Sequence, residues 1–183
     1  MMTGTETIQE TVRRAGFTCR LCGACCSGPD NEVMVSPQEI DVLVSATGMP
    51  ASGIAEPYPE WLQQDGGTFT FGWVLRRGED GNCIFLEHNR CRVYESRPHI
   101  CRTYPFMLDG EELLISECPG CTGGTGTGDA EQITQDLIRR RDAEDAELKT
   151  TEKQYQKHSI ITGSTIVFDS RGAHEYLIRP KKS

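Results

Sequence analysis

The sequence lacks the apolar and basic segments that would indicate a membrane or a nucleic acid as a partner. No stretch approaches the roughly 20 apolar residues that a membrane-spanning helix needs. The first residues, Met1 to Arg14, are polar and lack the apolar core of a signal peptide. With a net charge of -8 and a pI near 5.0, the chain has no basic stripe to neutralise phosphates. We therefore expect a cytoplasmic protein that binds neither membranes nor nucleic acids.

The motifs of nucleotide-binding and hydrolytic enzymes are also missing. The glycine- and threonine-rich segment 122–128 lacks the Gly-Lys-Ser/Thr ending of a phosphate-binding loop. Asp129 occupies the position at which the dinucleotide fingerprint requires its third glycine. No Ser/His/Asp arrangement is evident in the sequence either. We interpret the segment as a flexible linker, and the failure of both motifs removes the easiest evidence for a built-in nucleotide or methyl-donor site.

Cysteine, in contrast, is abundant, with nine residues among 183. An odd number cannot pair completely, and the expected cytoplasmic location keeps thiols reduced, which argues against a disulfide framework. Free cysteine is often a buried small hydrophobic residue. The repeated two-residue spacing instead indicates a metal or cluster site, with redox catalysis as the second interpretation.

Four of the cysteines form a closely spaced group, Cys19-x2-Cys22-x2-Cys25-Cys26. A two-residue spacing lets thiolates from one loop converge on a single metal, and Gly23 eases the backbone turn that this requires. Three cysteines at this interval also begin the ligand run of bacterial ferredoxins. We expect the side chains of Cys25 and Cys26 to diverge and to serve different metals, because the two residues are adjacent.

The next two cysteines are predicted to face each other across a hairpin. In an antiparallel hairpin, the numbers of paired residues have a constant sum. A turn centred on Glu87 therefore places Cys83 opposite Cys91. Opposed residues have their α-carbons about 4.5–5.5 Å apart, so the two thiols could share a metal.

The same reasoning applies to a second predicted hairpin, with its tip at Asp109-Gly110. This register places Cys101 opposite Cys118 and leaves Cys121 without a partner. Eight positioned thiols would complete two four-thiolate sites, whereas nine also allow a multinuclear site. The sequence leaves the division of the ligands between metals open.

Basic residues flank several cysteines and are candidates for tuning the site. A four-thiolate centre is negatively charged, and nearby cations lower the pKa of thiols and favour their bound form. Four arginines adjoin cysteines in the sequence: Arg20, Arg90, Arg92 and Arg102. The alternative is that these arginines face water. His99, two residues before Cys101, is a possible ligand, although we favour a surface or core histidine.

Turn and capping signals predict an α+β fold. Ser36-Pro37-Gln38-Glu39 begins a helix that ends at Gly48, and a charged helix extends from Ala130 to about Lys157. A hairpin is predicted from Thr165–Phe168 and Glu175–Ile178. We expect a small cysteine-rich metal-binding domain of short β-hairpins and loops at 17–121, a linker at 122–128, and a C-terminal helix and β-hairpin at 129–183.

Four segments carry a longer pattern: Cys19-x2-Cys22-Gly23-x-Cys25-Cys26, Cys83-x-Phe85-Leu86, Cys91-x-Val93-Tyr94-x2-Arg97-Pro98-x2-Cys101-Arg102-x-Tyr104-Pro105-Phe106, and Cys118-Pro119-Gly120. Together they resemble the YkgJ-like cysteine-cluster family, described as a zinc- or iron-chelating domain whose members are often labelled iron–sulfur oxidoreductases. The resemblance covers about residues 17–121 and implies eight metal ligands: Cys19, Cys22, Cys25, Cys26, Cys83, Cys91, Cys101 and Cys118. Cys121 lies outside the shared pattern.

The leading functional expectation is an iron–sulfur cluster, of the [4Fe–4S] type, that serves electron transfer or a redox subunit. Such a protein would act with a protein redox partner or within a complex. The first alternative is a zinc-binding structural or interaction module without catalysis. The second is an accessory subunit of a protein-modifying enzyme, because flagellin lysine N-methylase carries a related cysteine motif.

Overall fold

The protein is described by a computed structural model that covers residues 4–28, 31–124 and 129–177. The helices are α1 Gly4–Ala15, α2 Pro37–Thr47, α3 Ala51–Ile54, α4 His99–Thr103 and α5 Ala130–Lys157. The strands are β1 Met34–Val35, β2 Ala55–Pro57, β3 Leu62–Gln64, β4 Gly67–Phe71, β5 Trp73–Leu75, β6 Leu86–Glu87, β7 Arg90–Cys91, β8 Phe106–Asp109, β9 Glu112–Ile115, β10 Thr165–Asp169 and β11 Gly172–Glu175. This mixture of helices and small sheets confirms the predicted α+β class, including its C-terminal helix and hairpin.

The chain forms two compact units, each made from two separate stretches. The first unit combines the stretch up to Asn31 with Arg77–Ala143, and the second combines Glu32–Arg76 with the stretch from Glu144 onward. All nine cysteines belong to the first unit. The domain limits predicted from the motif, 17–121 and 129–183, stay a prediction. Part of the predicted linker, residues 125–128, lies outside the described residues.

The first unit has a small apolar core. The side chains of Ile8 and Val12, one helical turn apart on α1, are buried together with Phe106 of β8 and Leu137 of α5. Phe17 packs edge-on against Phe106, with ring centroids 5.5 Å apart. Because this core is modest, we expect other interactions to supply much of the stability of the cysteine-bearing loops.

The hairpin of β8 and β9 has a different register from the predicted one. Phe106 pairs with Ile115 and Asp109 pairs with Glu112, so the two turn residues are Gly110-Glu111. Gly110 takes the left-handed backbone conformation, with φ of 61°, which places it inside the turn while Asp109 stays in the strand. The prediction that Cys101 and Cys118 face each other in this ladder is therefore wrong.

The hairpin of β6 and β7 also turns later than predicted. Leu86 pairs with Cys91, and the turn lies at His88-Asn89, where both residues have positive φ angles. Such a two-residue turn requires left-handed backbone at both positions, which asparagine tolerates well. The predicted centre at Glu87 is wrong, and Cys83 does not face Cys91 across the strands.

The second unit is built around a four-stranded sheet with the order β11-β10-β4-β3, in which β10 runs parallel to β4. A three-stranded sheet, β1-β5-β2, completes it. Phe69, Phe71, Phe168 and Tyr155 form an aromatic cluster with centroid distances of 5.3–6.0 Å. The predicted C-terminal hairpin is present as β10 and β11, and Ile178 lies outside the described residues.

The two predicted helices are confirmed. Helix α2 begins with a capping box between Ser36 and Glu39 and ends at Gly48, which has a left-handed backbone. Helix α5 spans Ala130–Lys157 as predicted, and its exposed Leu148 is consistent with a narrow apolar face. Over the parts of the chain that the structure covers, no helix is both long and apolar enough to cross a membrane.

The aromatic cluster predicts a large loss of stability when its central ring is removed. Phe168 is fully buried, so we expect Phe168→Ala to lower the free energy of unfolding by about 3–5 kcal/mol. Urea denaturation measures this change. Leu177→Ala is the matched control, since Leu177 is 89% exposed and should change stability by less than about 0.5 kcal/mol. Equal effects of the two substitutions would contradict the assignment of Phe168 to the core.

Candidate metal centre

The cysteine loop depends on a glycine at position 23. Gly23 has φ of 72° and precedes the 3-10 turn Ala24–Cys26. A side chain here would place its Cβ 2.8 Å from the carbonyl oxygen of Asn89 and 2.9 Å from Cδ1 of Leu86. Glycine is therefore required both for the left-handed backbone and for the close approach of the loop to the β6–β7 hairpin.

Backbone hydrogen bonds fix the loop beside the segment that carries Cys83. The amide of Cys83 donates to the carbonyl oxygen of Cys26 at 2.8 Å. Nearby, Arg77 donates to the carbonyl oxygen of Gly28 at 2.7 Å, and the amide of Gly28 donates to Asn82 Oδ1 at 3.1 Å. These contacts bring thiols from distant parts of the sequence together.

Four sulfurs meet at this junction, and we call them the four-thiol group: Cys25, Cys26, Cys83 and Cys91. The Sγ atoms of Cys25 and Cys26 are 3.9 Å apart. The thiols of Cys83 and Cys91 also raise the pKa of Cys26, so all three other members lie close to it. The expectation that the side chains of Cys25 and Cys26 diverge is wrong, because the 3-10 turn directs both sulfurs to the same place.

The four thiols of the group differ in their pKa values. Hydrogen bonds from Cys26 lower the pKa of Cys25 to about 7, of Cys83 to about 7 and of Cys91 to about 6. The pKa of Cys26 is raised well above its usual value because its proton is held by these three neighbours. A metal ion can replace that proton, since thiolates are the form that binds metals.

Cys101 is a fifth thiol close to the group. It lies on α4, where burial raises its pKa to about 12, and the charges of Cys83, Cys25 and Cys91 add to this effect. A buried thiol next to three thiols that ionise easily is a suitable additional ligand. The structure thus brings five of the eight predicted ligands together.

Two cations act on these thiols: Arg77 on Cys83, and Arg97 on several of the others. The positive charge of Arg97 lowers the pKa of Cys25 and of Cys91, as a secondary effect, and acts against the increase at Cys101. The guanidinium lies 3.6 Å from the centroid of the Tyr94 ring, and it donates to the carbonyl oxygen of Tyr94 at 2.8 Å and of Cys101 at 3.4 Å. This residue holds α4 and a compensating charge in place.

The structure gives other positions to arginines that adjoin cysteines in the sequence. Arg102 donates to the carbonyl oxygens of Arg97 and Glu95, and Arg92 lies over the ring of Phe85, 5.8 Å from its centroid. Sequence reasoning missed Arg97 because it ranked arginines by adjacency. Arg97 lies before α4, outside the helix, so no helical spacing in the sequence indicates its contact with Cys101.

We expect Arg97→Gln to weaken metal binding about 10- to 100-fold, because the outer contacts of a metal site typically contribute this much. Competition with a metal-sensitive dye measures the affinity. Arg90→Gln is the control, since Arg90 adjoins Cys91 but is exposed on β7. An equal loss in both variants would show that general surface charge, rather than the position of Arg97, controls the affinity.

The remaining four cysteines lie outside the four-thiol group. Cys19 and Cys22 are exposed, and Cys19 interacts with the hydroxyl of Tyr94. Burial raises the pKa of Cys121 and the neighbouring Cys118 adds to this increase. Cys121 was not among the predicted site residues, and its proximity to Cys118 follows from the Cys118-x2-Cys121 spacing.

The donor set of the four-thiol group fits a metal that prefers sulfur. Thiolates select zinc and iron–sulfur centres over magnesium or calcium, which prefer oxygen. Among the residues that the structure describes, no group of three or more Cys, His, Asp or Glu side chains is already arranged to hold a metal ion. The proton on Cys26 is shared with its neighbours, so binding requires a metal to replace that proton.

Known proteins provide an independent comparison of this region. Residues 18–122 match the model of the CxxCxxCC family, whose description is "Putative zinc- or iron-chelating domain". The matched segment contains all nine cysteines and more than half of the chain. No solved structure matches the chain. The match is consistent with the thiol-rich donor set, and the chain belongs to the CxxCxxCC family of metal-chelating domains.

Proposed function

We propose that the protein is a zinc-binding module in which the four-thiol group holds one structural ion. The observation that carries this proposal is the distance of 3.9 Å between the sulfurs of Cys25 and Cys26. A tetrahedral ion with metal–sulfur bonds of about 2.3 Å separates its ligand sulfurs by about 3.8 Å. The two thiols therefore already have the spacing of one edge of such a site.

The ion would join elements that are distant from one another in the sequence. Cys25 and Cys26 come from the loop, Cys83 from the segment before β6, and Cys91 from β7. A structural zinc site with four protein ligands is closed and has no open position for a substrate. Its role is then to fix the cysteine loop to the hairpin, and its binding energy contributes directly to folding.

Metal analysis of the purified chain tests the proposal. We expect about one zinc per chain, no visible absorbance, and a lower melting temperature after removal of the metal by a chelator. The same sample is measured for iron and acid-labile sulfide after anaerobic purification. A protein that contains no zinc, or that is equally stable without it, would contradict the proposal.

An iron–sulfur cluster is the second candidate, and the number of nearby thiols favours it. Cys101 lies beside the four-thiol group, and the exposed Cys22 lies on the same loop. Five or more thiols exceed the four that a single zinc ion uses. If a cluster is present, Arg97 would tune its reduction potential by charge and the protein would exchange electrons with a protein partner. Broad absorbance near 400 nm with matching iron and sulfide would favour this candidate over zinc.

A further inference from the structure

Cys118 and Cys121 form a thiol pair that the proposed zinc site does not use. The four-thiol group consists of residues from the loop, the Cys83 segment and β7, whereas these two cysteines follow β9 in the sequence Cys118-Pro119-Gly120-Cys121. Both residues line the same open surface hollow. The zinc proposal therefore assigns no role to Cys118 and Cys121.

The backbone between the two cysteines is a tight turn. The amide of Cys121 donates to the carbonyl oxygen of Cys118 at 3.0 Å, which closes a four-residue turn. The α-carbons at the ends of such a turn are less than about 7 Å apart. A disulfide spans α-carbon distances of about 4.4–6.8 Å. The turn thus already brings the two residues into the range in which a disulfide forms.

Contacts with residues 17 and 18 hold this turn in its shape. The carbonyl oxygen of Gly120 accepts a hydrogen bond from the amide of Thr18 at 3.0 Å, and Cys121 forms an isolated antiparallel bridge with Phe17. A Cβ on Gly120 would lie 2.5 Å from the carbonyl oxygen of Thr18. Because the turn is fixed by these contacts, a bond between the sulfurs needs little movement of the backbone.

The side chain of Cys118 is held in place and is open to solvent. The amide of Gly120 donates to Cys118 Sγ at 3.4 Å, which orients this sulfur. Cys118, Pro119 and Cys121 line an open surface hollow together with residues 115–117. A small disulfide can therefore reach the pair from solvent.

We propose that Cys118 and Cys121 are a redox-active dithiol that a small disulfide such as glutathione disulfide oxidises to an intramolecular disulfide. The Cys118 thiolate attacks one sulfur of glutathione disulfide, which breaks its S–S bond and releases one glutathione thiolate. The Cys121 thiolate then attacks the Cys118 sulfur of the mixed disulfide and releases the second glutathione. Two electrons pass from the protein to glutathione disulfide, and the protons of the two thiols are taken up by the two released thiolates.

The test uses the full chain as purified, with its metal content measured before and after oxidation. The protein is incubated with glutathione disulfide, free thiols are blocked with N-ethylmaleimide, and peptides are mapped by mass spectrometry. We expect a single cross-linked peptide that contains Cys118 and Cys121, with two hydrogens lost and no change in metal content. A cross-link between other cysteines, or release of metal in parallel with oxidation, would overturn the proposal.

Two serine variants test whether Cys118 and Cys121 are a redox-active dithiol or metal ligands. In Cys121→Ser, Cys118 should retain one glutathione as a stable mixed disulfide, because no second thiol is available to release it. Cys19→Ser is the control, and it should still form the Cys118–Cys121 disulfide. Loss of metal from Cys121→Ser would identify Cys121 as a ligand and overturn the proposal. The peptide map remains informative even if the four-thiol group binds no zinc, so failure of the two proposals can be distinguished.

Discussion

Replacing Cys26 with serine is expected to abolish stoichiometric metal binding, because Cys26 is the one member of the four-thiol group that lies close to the three others. A hydroxyl oxygen is a poor substitute for a thiolate at a zinc site. Structural zinc contributes about 10–16 kcal/mol in small zinc-dependent domains. Loss of such a contribution is comparable with the whole stability of most domains, which is about 5–15 kcal/mol. The first unit should therefore lose its cooperative unfolding transition together with its metal.

Zinc content after dialysis against a chelator measures the loss of metal from Cys26→Ser, and circular dichroism follows its unfolding. Cys19→Ser is the matched control, because Cys19 is exposed and lies on the same loop outside the group. We expect this variant to retain about one zinc per chain. If Cys19→Ser and Cys26→Ser lost metal equally, the site would have to include the first cysteine, as the resemblance to the YkgJ-like family implies. Retention of metal by Cys26→Ser would contradict the central role of that residue.

The second large effect is expected for Gly23→Ala. Alanine in left-handed backbone costs about 1–2 kcal/mol, and its Cβ would approach the carbonyl oxygen of Asn89 to 2.8 Å. Relief of such a contact by movement of the backbone typically costs about 1–3 kcal/mol more. Since the contact joins the loop to the β6–β7 hairpin, the movement should separate Cys25 and Cys26 from Cys91 and weaken metal binding as well as stability.

Gly28→Ala separates the effect of the steric contact at position 23 from the effect of left-handed backbone strain. Gly28 also has a left-handed backbone, with φ of 84°, but a Cβ there would meet nothing within 4 Å. We expect Gly28→Ala to lose only the stability due to strain and to keep its metal affinity. Melting temperatures and competitive metal titrations of both variants provide the comparison. A similar loss of affinity in both would mean that the loop does not dock through Gly23.

The sequence predicted the elements whose signals are local. The capping box at Ser36 and Glu39 and the long helix from Ala130 depend on neighbouring residues only, and both are present. The hairpin registers were predicted incorrectly, because each depends on which residue of a turn takes a left-handed backbone. One glycine, Gly110, and the pair His88-Asn89 decided those registers.

The candidate site shows the same difference between features with local sequence signals and features that depend on the fold. Cysteine spacing was sufficient to identify the residue type and the chemistry, but not to say which sulfurs meet. Cys25 and Cys26 approach each other because a 3-10 turn lies between Gly23 and Ser27, and that turn depends on contact with a hairpin far along the chain. Arg97 was missed for a similar reason, since its effect depends on the fold of α4 rather than on adjacency to a cysteine.

The division of the first unit into two stretches has a consequence for the entropy of the unfolded chain. Cys26 and Cys83 are 57 positions apart in the sequence, and the carbonyl of one accepts a hydrogen bond from the amide of the other. An ion bound to both thiols closes this long loop in the manner of a covalent cross-link. Loop-closure cost grows only logarithmically, by about 0.6 kcal/mol for each doubling of length. The intervening segment can therefore lengthen or shorten over evolution while the metal-bound junction keeps nearly all of its stability.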